Sequence, residues 1–85
     1  MTHSHLTGKS LGHVANFRDA PARRVELFSW SPTNWEVMVE THGRRARIVT
    51  ARLQSSSWET AYALYLCELD RDMRRCGVIT QLSAL

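Results

Sequence analysis

Histidine, cysteine and carboxylate side chains are where covalent, acid–base or metal chemistry would sit. His3 and His5 stand close to the amino terminus, and a free terminus with histidine in third place can chelate Cu²⁺ or Ni²⁺. Thr2 is small, which favours removal of Met1 and would destroy that spacing. With no third and fourth ligand nearby, the segment reads as a solvated tail, and no metal is expected. A nucleophilic serine or cysteine needs a base beside it, usually histidine. His3, His5, His13 and His42 fall in a tail, a loop and a turn tip, and none shares a motif with Cys67 or Cys76. Glu68, Asp70 and Asp72 are close in sequence, but on a helix they point in different directions and read as a solvated face. No phosphate loop, dinucleotide fingerprint or zinc spacing is present. The expectation is a non-enzyme without a cofactor.

Arginine is the remaining chemistry. Of the eleven basic residues ten are Arg, in a chain of formal net charge +3. Arg grips phosphate or carboxylate with two parallel hydrogen bonds, so this bias favours recognition. A genome rich in G and C would produce the same bias through its Arg codons. Arg44, Arg45, Arg47 and Arg52 crowd one short stretch, and the elements around that stretch decide where they point.

Residues 35–41 and 44–53 both alternate and are rich in β-branched side chains, the pattern of two strands. His42-Gly43 between them suits a two-residue turn, with Gly43 at positive φ. That turn places Val39 opposite Ala46, Val37 opposite Ile48 and Trp35 opposite Thr50 on an apolar face. Glu40 then faces Arg45, Met38 faces Arg47 and Glu36 faces Val49 on an outer face.

A helix follows directly. Ser56 and Glu59 have capping-box spacing, residues 57–76 contain neither Gly nor Pro, and Gly77 supplies a stop. Tyr62, Leu66, Leu69, Met73 and Cys76 recur at spacings of three and four, widened by Trp58 and Tyr65 into a stripe that would lie on the sheet. Leu64 and Cys67 fall off that stripe and offer a second contact surface. Cys67 and Cys76 would be about 13.5 Å apart along the axis, too far to bridge, so both are expected as reduced thiols in a cytoplasmic protein.

Upstream, residues 23–30 read as a first strand, with Ser31-Pro32-Thr33-Asn34 as the turn into the next. Its register stays open: one loop length turns Phe28 and Trp30 inwards, a loop one longer turns Val25 and Leu27 inwards. Residues 1–22 form a flexible or partly helical segment, with Ser10 as cap of a short helix over residues 11–19. Residues 78–85 are β-prone and suited either to an added edge strand or to docking on the core. The expected fold is therefore α+β: a three-stranded antiparallel sheet packed by one long C-terminal helix, with residues 23–85 as a single domain. An 85-residue chain that is 44% hydrophobic fills one small core, and no run is apolar and long enough for a membrane span.

The segments Trp35-Glu-Val-Met-Val, Gly43-Arg44-Arg45 and Ser57-Trp58-Glu59-Thr60-Ala61-Tyr62-Ala63 together resemble the AP2-like module, also found as the arm-binding domain of phage integrases. The resemblance covers about half the chain. It implies that the outer sheet face enters the DNA major groove, with Arg45 and Arg47 reading bases and Arg44 and Arg52 near phosphates. A second expectation comes from the surplus of apolar side chains. Phe28, Trp30, Met38 and Leu64 exceed what one small core can hide and fit a protein interface, as in a phage- or plasmid-type inhibitor or adaptor. Nucleic acid and protein stand side by side as partners, and a homodimer is left open.

Overall fold

The computed structural model describes residues 11–43 and 46–82. Alternation of buried and exposed residues produces five strands: β1 (Leu11–Asn16), β2 (Arg23–Ser31), β3 (Asn34–His42), β4 (Arg47–Ser55) and β5 (Val78–Leu82). One helix, α1 (Trp58–Arg74), stands between β4 and β5. The strands form a single sheet of order β4-β3-β2-β1-β5, antiparallel throughout. The fold is α+β, with five strands where three were expected. Among the described residues, no helix is long and apolar enough to cross a membrane.

The helix expected over residues 11–19 is instead β1. Leu11, His13 and Ala15 alternate with Gly12 and Val14, and the segment pairs with β2 on one side and β5 on the other. Period-two patterning overrides the cap signal, whose Ser10 lies outside the described residues. The expected edge strand at the C-terminal end is β5.

The β2–β3 register resolves with Val25 opposite Val39 and Leu27 opposite Val37. Pro32-Thr33 makes the turn, and the bulge between Ser29 and Ser31 absorbs the extra residue. Val25, Leu27 and Val37 are buried beneath α1, whereas Phe28 and Trp30 take the outer face.

The β3–β4 hairpin departs from expectation. His42 pairs with Arg47, whereas a two-residue turn would pair Thr41 with Arg44, and Gly43 does not adopt positive φ. Thr41 meets Ile48, then a bulge shifts the ladder so that Val39 meets Ala51, Val37 meets Leu53 and Trp35 meets Ser55. Beyond the bulge each partner sits five residues later than a two-residue turn would place it. An odd slip inverts the β4 faces. Ala51 and Leu53 therefore pack inwards. Ile48, on the other side of the bulge opposite Thr41, is 57% exposed.

Helix α1 starts one residue later than expected, capped by Ser57, whose hydroxyl accepts the Thr60 N–H at 3.3 Å. At the other end Cys76 takes the left-handed conformation, φ 59°, usually occupied by glycine. Gly77 N–H then donates to the Asp72 carbonyl at 3.0 Å and Cys76 N–H to the Met73 carbonyl at 3.0 Å, the paired bonds of a Schellman cap. Gly77 is needed for space: a Cβ there would lie 2.7 Å from the Phe17 ring.

The buried stripe of α1 is turned by about one residue from the expected one. Ala61, Tyr65 and Asp72 are buried, with Trp58, Leu64 and Glu68 half-buried. Tyr62, Leu66 and Met73 are exposed instead. The polar side chains brought inwards explain the turn.

Candidate functional site

Two groups of side chains stand out, one on each side of the sheet. On the outer face, β2 contributes Arg24, Glu26, Phe28 and Trp30, β3 contributes Glu36, Met38 and Glu40, and β4 contributes Arg52 and Gln54. Phe28 and Trp30 meet edge to face, with ring centroids 5.1 Å apart, and Trp30 remains 43% exposed. Glu36 is 1% exposed although it lies on this open face. Its carboxylate accepts the Trp30 indole N–H at 2.7 Å and the Arg52 Nε–H at 2.6 Å. Burial pushes the Glu36 carboxyl up, but the bonds from Trp30 and Arg52, the Arg52 charge and Gln54 outweigh it. The net result is a carboxyl held below its usual range. Arg24 Nε–H donates to Glu26 at 3.1 Å on the same face.

Phe28, Trp30 and Met38 thus gather on one surface, as an interface would require. Leu64 does not join them: it lies on the opposite side of the sheet, packed against the core. Among the candidate nucleic-acid contacts, Arg44 and Arg45 lie outside the described residues, and Arg47 opens β4. Arg52 is on the outer face but already bonded to Glu36, so part of its charge is neutralised there.

Beneath α1 lies a chain of polar groups that the reading of Glu68 and Asp72 as a solvated face missed. Asp72 and His13 are fully buried, and His13 Nε2–H donates to Asp72 Oδ2 at 2.7 Å. In the neutral ring, Nδ1 then accepts the Tyr65 hydroxyl at 3.0 Å. The Arg23 guanidinium bonds the other Asp72 oxygen and donates to Glu68 Oε1 at 2.6 Å. Burial, then the neighbouring Tyr62 and Asp72, pushes the Tyr65 phenol above its ordinary value. The signal for this cluster was present in β2: Arg23 shares the inward face with Val25 and Leu27, and a cation there demands a carboxylate. Tyr65, Glu68 and Asp72, spaced by three and four, meet it.

His13 and Tyr65 also form the floor of a groove of about 400 Å³ between α1 and the β1–β5 side of the sheet. Its walls are apolar, chiefly Tyr62, Leu66, Met73 and Ile79. The polar groups at the floor are committed to one another, which makes the cluster a clamp between helix and sheet. Among the described residues, no group of three or more His, Cys, Asp and Glu side chains is placed to hold a metal. Cys67 and Cys76 are both exposed free thiols. No protein-family model, curated protein or solved structure matches this chain.

Proposed function

We propose that this chain is a non-enzymatic binding protein, of the inhibitor or adaptor kind, that recognises another protein through the outer face of its sheet. The supporting observation is the Phe28–Trp30 pair, fixed by the bond from Trp30 to the buried Glu36 carboxylate. An exposed aromatic already held in place loses little side-chain freedom on docking, and Trp is among the strongest interface anchors. Met38 extends the apolar centre, and the Arg24–Glu26 and Arg52–Glu36 pairs make a polar surround of mixed charge.

Nucleic acid is the competing partner, supported by the net charge of +3 and by Arg52 on the same face. Arg52 donates to Glu36 there, which weakens the attraction for phosphate.

Affinity capture with the full chain, with and without nuclease, tests the reading. Partners held through the outer face survive nuclease treatment and are lost with Trp30→Ala, which weakens binding by about thirtyfold if Trp30 is a 2 kcal/mol anchor. Duplex DNA binding that falls steeply with salt and disappears with Arg52→Ala would overturn the proposal and support the nucleic-acid alternative.

A further inference from the structure

The two edges of the sheet are built differently. β4 carries Arg47 and Arg52 and is bulged at its pairing with Val39 and Glu40, features that discourage a further strand. β5, Val78-Ile79-Thr80-Gln81-Leu82, has no charge, no proline and no bulge in its pairing with β1. Val78 is 70% exposed, and among the described residues no strand pairs with the outer edge of β5. An uncharged edge of this kind accepts another strand without repulsion.

We propose that β5 is the interface between two copies of this chain, paired antiparallel about a two-fold axis through Thr80. The sequence of β5 is complementary to itself in that register. Val78 meets Leu82 of the second copy, Ile79 meets Gln81, and Thr80 meets Thr80, with no like charges opposed. Threonine opposite threonine is a favourable cross-strand pair. The five-stranded sheet becomes one of ten strands, and the edge N–H and C=O groups of both copies are satisfied together. An axis perpendicular to the sheet keeps both helices on one side and both outer faces on the other. Ile79 and Gln81 also line the groove beside α1, so the grooves of the two copies run together over the joined strands. This interface is separate from the outer-face surface proposed above, and each can fail without the other.

Sedimentation velocity on the full chain between about 1 and about 100 µM tests the interface, a range that resolves a micromolar dissociation constant. The expected result is a dimer that Thr80→Lys and Thr80→Asp each weaken at least about tenfold, since each sets like charges face to face across the axis. Mixing the two variants restores a dimer, which also shows that both are folded. A wild-type monomer at about 100 µM overturns the proposal. So does a Thr80→Lys dimer of unchanged affinity, or a mixture of the variants that stays monomeric.

Discussion

The layer between helix and sheet has two ends made by opposite means. At the start of α1, Trp58 packs on Trp35 with centroids 4.9 Å apart, over Val37 and Leu53, and the contact is almost entirely apolar. Towards the end of α1, Arg23, His13, Tyr65, Glu68 and Asp72 form one connected set of polar bonds. The dry end is held by area removed from water, which is tolerant of exact position. The polar end is held by groups that are costly to bury and become acceptable only when each meets its partner. The comparison teaches that the apolar end supplies attraction, while the polar end selects one placement of the helix over β1 and β2.

The largest effect is expected from breaking the polar end. Asp72→Ala leaves Arg23 and His13 buried without their carboxylate and should cost about 3–5 kcal/mol in denaturant unfolding. The joint replacement His13→Phe, Arg23→Met, Tyr65→Phe, Glu68→Leu, Asp72→Leu should recover most of that loss, since all five members of the polar set are removed together and no buried charge is stranded. A loss below about 1 kcal/mol for Asp72→Ala would erase the distinction between the ends.

Leu27→Ala breaks the apolar side of the comparison. Leu27 is fully buried, and the cavity should cost about 3 kcal/mol with little dependence on pH or salt.

Glu36 carries the contrast to the outer face, as a buried charge satisfied by two donors. Its folded pKa lies below its ordinary value of 4.5, so the unfolded chain takes up the proton first as pH falls. Its contribution is therefore present above about pH 4.5 and is lost as pH falls through the lower folded value. Glu36→Gln should be less stable than wild type by about 1–2 kcal/mol at pH 7, with the gap closing in acid. Unfolding curves at several pH values read this directly, and a gap that persists at pH well below the ordinary value would count against it.

The smallest expected effect sharpens the comparison at the helix end. Cys76 holds φ 59° without being glycine, so Cys76→Gly should raise stability by about 0.5–1 kcal/mol. Thermal unfolding should show a small increase in midpoint.

The strands and helix were largely legible in the sequence because alternation and helical spacing are local properties. Val37, Val39 and Trp35 were placed inwards correctly, and β5 was expected as an edge. Pairing was less legible. Gly43 suggested a tight turn, but the ladder includes a bulge opposite Val39 and Glu40, which shifts the alternation of β4 by one residue within Val49-Thr50-Ala51, a run that fits either phase. The helix stripe was misread for a related reason. Counting apolar residues chose Leu66 and Met73, yet Arg23 and His13 in the strands required Glu68 and Asp72 opposite them. Such a match between distant segments is invisible to any one window of sequence. On the outer face, Phe28, Trp30 and Met38 come together because β2 and β3 are paired, whereas Leu64 belongs to the helix layer.

Asp72 touches three parts of the chain at once: its side chain reaches β1 and β2, and its carbonyl receives the amide that ends the helix. Slide β1 by one residue against its neighbour and Gly12 or Val14 would replace His13 beneath the helix, offering the carboxylate no hydrogen to accept. A misaligned chain would thus keep much of its oily contact and still be rejected. One aspartate serves as the proofreader of strand alignment.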